Sequence, residues 1–240
     1  MRSVITGFIL LGVCAIANAD FADNFESGDL SQWSCDIFNN WGQVVTWGLV
    51  QDGTWVWEGS GGFPPPGGGG GGSIQYLTSV NASDVSVRAE VKTQSVINPG
   101  FHSGIVARYT DPSHHYALTM SGTDQITVLS LAKSNNYWSP QGNVALEELA
   151  SAELLESQLG IWNTLRLDVT GNHLAAYLND TLYFSIYDNS LSSGSVGLRN
   201  GGAVTRFDDF STTVVPLPGA AILGCIGLSW AGLRLHRREI

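Results

Sequence analysis

"DVSVRAEVKT", residues 84–93, sets apolar and polar side chains in strict alternation. Val85, Val87, Ala89 and Val91 fall on one side, and Ser86, Arg88, Glu90 and Lys92 on the other. A period of two is the mark of a β-strand with one packed face and one wet face. Similar short runs follow: "GIVARYT" (104–110), "YALTM" (116–120), "QITVLSL" (125–131), "TLRLDVT" (164–170), "LAAYLND" (174–180), "TLYFSIY" (181–187), "GSVGLRN" (194–200) and "TRFDDFSTTV" (205–214). Turn-forming groups separate them, among them Asn98-Pro99-Gly100, Asp111-Pro112-Ser113, Gly171-Asn172, Asn179-Asp180 and Asn200-Gly201-Gly202. Many short strands at near-regular spacing predict an all-β sandwich or barrel.

Two segments depart from that pattern. "ALEELASAELLESQ" (145–158) is rich in good helix formers, so either a short surface helix or strands with a decorated loop fits it. "FPPPGGGGGGS" (63–73) cannot form the interior of a strand and reads as a mobile exposed loop between two strands.

The ends carry addresses. "MRSVITGFILLGVCAIANA" (1–19) has a basic start, an apolar run and a small-x-small cleavage site, the layout of a secretory signal peptide read by signal peptidase. The mature chain is then expected to begin at Asp20. Residues 214–240 form a tail. Val214 to Leu233 is free of charge, Pro216 and Pro218 keep its start non-helical, and Arg234, His236, Arg237 and Arg238 close it. A short hydrophobic helix from Gly219 to Leu233 would rise ~22 Å, short of a ~30 Å hydrocarbon core, with the basic end held cytoplasmic. Val215-Pro216-Leu217-Pro218, the thin apolar helix and the terminal arginines resemble PEP-CTERM sorting tails in their VPLP variant. That resemblance implies transient membrane insertion, recognition by an exosortase-type protease, and a destination at the cell envelope or extracellular matrix of a bacterium.

Between the ends, residues 20–213 form one domain. Over residues 20–215 there are 7 Lys and Arg against 20 Asp and Glu, a net charge of −13. So acidic a domain repels nucleic acid and other polyanions, and leaves neutral extracellular polysaccharide, protein or divalent cations as partners. Cys35 is alone in the domain, which excludes an intrachain disulfide or a cysteine zinc cluster and predicts a buried, inert thiol.

"FADNFESGDLSQW" (21–33), "GIVARYTDPSHHYALTM" (104–120), "GIWNTLRLDVTGNHLAAYLNDTLYFSIYD" (160–188) and "SGSVGLRNGGAVTRFDDF" (193–210) occur in an order that resembles the concanavalin A-like lectin/glucanase superfamily. They lie close to laminin-G-like domains and bacterial modules of the DUF1080 type. The resemblance implies a jelly roll of two antiparallel sheets, one of them concave. It leaves function open, because lectins, hydrolases, lyases and adhesion modules share that fold.

Chemistry is less legible. Glycosidases of this fold carry alternate carboxylates on one strand, and in this domain no two Asp or Glu are separated by two or four positions. Glu90 and Asp168, on different strands, are the alternative carboxylate pair. His114 and His115 are adjacent, so their rings would point to opposite faces of a strand, and "DPSHHY" suggests an exposed turn instead. Aromatic side chains stack against sugar rings. Trp33, Trp47, Trp55 and Trp162 are expected in the core, while Trp57, Tyr137 and Trp138 are candidates for exposure. The predicted ligand-binding set is Arg88, Glu90, Arg108 and Tyr116 along the concave sheet, with Tyr137 and Trp138 in a polar loop. Asp23, Glu26, Asp208 and Asp209 crowd the first and last strands, where a structural Ca²⁺ would suit their hard oxygens. Plain surface acids are the other reading. The sequence thus predicts an exported, envelope-sorted carbohydrate-binding module without catalysis, with a glycoside hydrolase or a purely structural surface protein as alternatives.

Overall fold

The computed structural model describes residues 20–38, 45–61, 72–97, 101–123, 125–135 and 146–214. The signal and tail assignments, Trp41, Tyr137, Trp138 and most of the proline–glycine tract lie outside them. Fifteen strands run in order: β1 (Phe21–Asp23), β2 (Trp33–Phe38), β3 (Thr46–Asp52), β4 (Thr54–Ser60), β5 (Gly72–Leu77), β6 (Val85–Val96), β7 (Phe101–Asp111), β8 (His114–Gly122), β9 (Thr127–Asn135), β10 (Glu147–Leu154), β11 (Asn163–Thr170), β12 (His173–Leu178), β13 (Thr181–Tyr187), β14 (Ser195–Gly201) and β15 (Ala203–Val214). Among the described residues there is no helix.

The strands form two antiparallel sheets. One has eight strands, ordered β13-β12-β11-β6-β15-β4-β3, with β1 also paired to β15. The other has seven, ordered β10-β9-β8-β7-β14-β5-β2. The opening alternation holds: Val85, Val87, Ala89 and Val91 are fully buried between the sheets, and their polar neighbours face outward. This is the all-β, two-sheet jelly-roll sandwich that the sequence predicts. The helix-rich stretch resolves as β10, paired with β9 from Glu147↔Lys133 to Leu154↔Thr127 with a bulge after Glu148. Pairing with β9 outweighs the helix preference of its Ala, Leu and Glu residues.

Aromatic side chains fill one part of the core. Trp57 lies 5.0 Å from both Trp33 and Trp47, and Phe25, Phe207 and Phe210 close around them. Trp57 is thus core, at 3% exposure, whereas Trp55 is 41% exposed. The two share one strand face, but β15 pairs with β4 only as far as Trp57, so Trp55 projects past the covered region. Trp162 is half-buried, with the Lys92 ammonium 4.9 Å from its ring. Cys35 sits exposed on edge strand β2 rather than in the core, although desolvation of its sulfur still pushes the thiol up. The last glycine of the low-complexity tract opens β5, and β15 extends through Val214, the residue where the tail was placed.

Candidate functional site

The predicted ligand set divides between the two sheets. Arg88 and Glu90 lie on β6, on the outer face of the eight-stranded sheet. Glu90 accepts a hydrogen bond from Thr164 Oγ1 at 3.3 Å, and Arg88 stands across from Arg166. Asp168 pairs in register with Ser86 and accepts its hydroxyl at 2.5 Å. Four register steps, ~13 Å, therefore separate Asp168 from Glu90, too far for a catalytic pair. The rest of this face is compensated charge: Asp52 pairs with Lys92 and Arg206, Arg206 donates to Glu58 at 2.8 Å, and Arg166 lies 3.8 Å over the Tyr177 ring.

Arg108 and Tyr116 belong to the other sheet and are buried, so they do not line a common surface with Arg88 and Glu90. Arg108 interrupts β7 with φ of 50° at a register shift, which turns its side chain inward. Its guanidinium donates to the carbonyls of Ser83, Leu191 and Gly171. Tyr116 donates to Asp188 Oδ1 at 2.6 Å and accepts from Leu191 N–H, while Lys133 Nζ holds Asp188 Oδ2 at 2.7 Å. Burial alone would raise the Asp188 carboxyl, but Lys133 and Tyr116 hold it well below the usual carboxylate range. These bonds form a clasp at one end of the sandwich.

Three of the four predicted calcium ligands accept hydrogen bonds within the fold. Asp23 accepts from Phe25 N–H and from the Trp33 indole, and Glu26 accepts from Trp55 N–H. Asp208 accepts from Thr54 Oγ1 and Asp209 N–H, beside a bulge at which Asp209 adopts φ of 43°. Burial, then Asp209 and Glu90, push the Asp208 carboxyl up. Among the described residues no group of three or more His, Cys, Asp or Glu is placed to share a metal ion.

The outer face of the seven-stranded sheet is different. Register aligns Asp36, Ile74, Arg199, Gly104, Thr119 and Ser130 across six strands. Neighbouring rows add Tyr76, Val106 and Ala117, then His115 and Ser134. Phe38, Ile74, Val106, Tyr109 and Ala117 form an apolar cluster of their own here, with Tyr76 and Leu146 packed on it. An outward sheet face that carries its own buried cluster is a second, small core.

Into that cluster the chain places unsatisfied polarity. Arg199 is 5% exposed, yet His115, Thr119 and Ser134 are more deeply buried still. Arg199 Nη1 lies 3.2 Å from His115 Nε2, and its guanidinium stands 4.5 Å over the Phe38 ring. Buried atoms without a hydrogen-bond partner include Arg199 Nε, His115 Nδ1, His102 Nδ1, Thr119 Oγ1 and Ser134 Oγ. The Asp111 carbonyl acts on His115 only from outside hydrogen-bond geometry. Burial, then the Arg199 charge, drives His115 well below its ordinary value and His102 to about 4, so both rings are neutral at pH 7. Burial likewise lowers Arg199, to about 10. Tyr109 donates a short hydrogen bond to Asp36; burial, then that bond, pushes its phenol up.

Two glycines flank Arg199 in the sheet. Gly104 faces Arg199 in register, and Gly197 lies two residues before it on β14. A Cβ on Gly197 would stand 2.0 Å from Gln75 O, and one on Gly104 2.1 Å from Leu118 O. Both positions exclude any side chain.

His115 is the residue that sequence reasoning placed in a turn. The two histidines do take opposite faces of β8. His114 is half-buried against Asp111, at 2.9 Å, while His115 enters the cluster. Arg199 and His102 were not singled out. The available signal was a lone cation at the outward phase of "GSVGLRN", between residues too small to shield it.

The sequence model for the 3-keto-alpha-glucoside-1,2-lyase-like domain matches residues 20–212. No curated protein sequence matches the chain. Among solved structures, a carbohydrate-binding module, CBM66, from Bacillus subtilis aligns with a TM-score of 0.55 at 17% identity, covering 75% of this chain and 94% of that one. The exoplasmic/lumenal domain of VIP36, in a Ca²⁺/Man3GlcNAc-bound form, aligns with a TM-score of 0.56 at 9% identity, covering 83% and 90%. A Bacteroides ovatus mixed-linkage glucan GH16 protein aligns with a TM-score of 0.53 at 11% identity, covering 81% and 99%. At these identities the likeness establishes the concanavalin A-like fold.

Proposed function

From the premise that the chain belongs to the 3-keto-alpha-glucoside-1,2-lyase-like domain family, we propose that the outer face of the seven-stranded sheet is a carbohydrate site. One observation carries this reading. Five buried polar atoms without partners surround an aromatic and aliphatic cluster on a face that a solvated sheet would leave plain. A buried polar atom without a partner costs roughly 1–3 kcal/mol, and a ligand that supplies partners recovers that loss. Sugars fit because they offer apolar CH faces to rings such as Phe38 and Tyr76 and hydroxyls to the atoms between them. The relatives in fold include a carbohydrate-binding module and a sugar-bound lectin domain, which supports the reading by analogy.

The protein is an exported binding module in this reading. Residues 1–19 direct secretion, and residues 214–240 sort the domain to the envelope, where extracellular polysaccharide is at hand. Tyr137 and Trp138 follow closely on Asn135, the last residue of β9, whose register neighbour His114 adjoins His115. They belong to the same ligand in this proposal.

The family description favours one further reading, elimination across C1 and C2 of a 3-keto sugar. There a base removes the C2 proton made acidic by the C3 ketone, the C1–O bond breaks, and the glycosidic oxygen leaves with a proton. Arg199 would stabilise the enolate oxygen. The imidazoles argue against fast turnover, since a ring held near 4 is a weak base at pH 7. Arg199 also occupies His115 Nε2.

The deciding experiment is a glycan array and calorimetric titration on the purified protein, with Thr119→Val and Ser134→Ala beside the wild type. Binding that both variants weaken supports the site, and glycan binding that neither changes places it elsewhere. Turnover of 3-keto glucosides but not of ordinary glucosides would establish the second reading.

A further inference from the structure

On the footing of that carbohydrate site, we infer that its ligand is an acidic sugar, a uronic acid residue whose carboxylate binds at Arg199. Among the described residues the guanidinium has no counter-ion. Every Asp and Glu of residues 20–214 except Asp124 is among the described residues, and none forms an ion pair with Arg199. The carboxylate across the same row, Asp36, is engaged by the Tyr109 hydroxyl. An unpaired charge so deeply buried is among the least favourable arrangements a fold can keep, and a ligand anion removes that penalty.

Hydrogen-bond polarity agrees with the charge. A guanidinium cannot accept, so the Arg199–His115 contact makes His115 Nε2 the acceptor and leaves the ring proton on Nδ1. The unpartnered His115 Nδ1 is therefore a donor, as is Arg199 Nε–H. Thr119 Oγ1 and Ser134 Oγ are hydroxyls free to donate. Two of these unpartnered atoms, Arg199 Nε and His115 Nδ1, can only donate, and the two hydroxyls can donate as well as accept. A sugar hydroxyl brings both roles to such a place, whereas a carboxylate brings acceptors only.

Size and charge select the carboxylate among anions. A planar, singly charged group matches the fork of one guanidinium and balances it one for one. A phosphate dianion would leave an excess negative charge inside a domain whose net charge is already −13. The same net charge admits a single acidic residue or a sparsely charged chain and disfavours a dense polyuronate. Gly104 and Gly197, where a Cβ would strike Leu118 O and Gln75 O, keep further side chains off the strand positions that flank Arg199.

The test titrates the purified protein with methyl glycosides of glucuronate, galacturonate and mannuronate, with their neutral counterparts, and with glucose 6-phosphate. At least one uronide should bind tenfold or more tighter than its neutral counterpart, and the preference should shrink as ionic strength rises. Arg199→Met should abolish the preference, and Arg199→Lys should keep part of it. Equal or weaker binding of every uronide, with neutral sugars still bound, overturns this inference and leaves the carbohydrate site standing. Preference for the phosphate overturns the carboxylate assignment. Absence of binding by all of these sugars overturns both. If Arg199→Met fails to fold, the wild-type preference and the Arg199→Lys variant still decide.

Discussion

The two outer faces of the sandwich are both rich in polar residues, yet they solve opposite problems. On the eight-stranded sheet, Lys92, Arg206, Arg166, Asp52, Glu58 and Asp168 are partly wet and compensated by one another or by an aromatic ring. On the seven-stranded sheet, Arg199, His115, Thr119 and Ser134 are buried and incompletely paired. A face made for water disperses its charges into mutual pairs that contribute little each. A face made for a ligand holds partners in reserve. Polarity alone does not distinguish them; charge pairing does, since Asp52 Oδ2 and Arg166 Nε also lack hydrogen bonds but face opposite charges, whereas Arg199 faces none among the described residues.

The most severe way to break the comparison is to substitute one of the glycines that flank Arg199. Gly197→Ala sets a Cβ against Gln75 O, and denaturant unfolding should show a loss of about 3 kcal/mol or more. Gly48→Ala on β3, where nothing lies within 4 Å of the added atom, should change stability by less than 1 kcal/mol.

Acidification acts next. His102 titrates near 4 in the folded protein and near ~6.5 unfolded, so between those values the unfolded chain takes up a proton that the folded one refuses. Stability should therefore fall as pH drops through that window, at up to about 1.4 kcal/mol per pH unit for each such histidine. His102→Gln should flatten the slope. A slope unchanged by that substitution would mean that His102 is not held neutral. Asp188, whose folded pKa is depressed, acts lower: its contribution is present above ~4 and is lost as pH falls further.

Arg199→Met should have the unusual sign. Replacing a buried, uncompensated charge with an apolar side chain of similar length is expected to raise ligand-free stability by about 1–2 kcal/mol, read as a higher Tm. Equal destabilisation by Arg199→Met and Arg206→Met would erase the distinction between the faces. Trp138→Ala tests the sequence-derived part of the site. It should weaken glycan binding about five- to tenfold, roughly 1 kcal/mol, with the Tm nearly unchanged. Smallest of all, Arg206→Gln should lose about 0.5 kcal/mol, and the difference should shrink in high salt.

The architecture was largely legible in the sequence because alternation encodes it directly. Each strand with one face toward the core writes a period of two, as Val85 to Lys92 does. The site was legible only in part, because the code stops there. Thr119, Ser134 and Arg199 sit at the outward phase of their strands, as Arg88 and Glu90 do, and alternation cannot say which outward face is covered. Arg108 defeats the pattern differently, since a bulge with positive φ turns a charged side chain into the interior. Among the tryptophans, the end of β15 pairing decides the environment, burying Trp57 and releasing Trp55. The acids of "FADNFESGDL" and "RFDDF" show a further limit, because composition lists oxygens without saying which backbone amides or side-chain donors hold them.

The pairing of β1 with β15 has a mechanical consequence. Phe21 stands beside Thr212 and Asp23 beside Phe210, so the chain enters and leaves the sandwich at adjacent points on antiparallel strands. A pull applied to both ends peels this short ladder one rung at a time rather than shearing all its bonds at once. The first strand should therefore detach at low force, and its release would withdraw Asp23 from the Trp33 indole. The aromatic core would then have lost one of its fastenings before either sheet had parted. A load that draws the two ends apart would act first at this corner, while the seven-stranded sheet stayed intact.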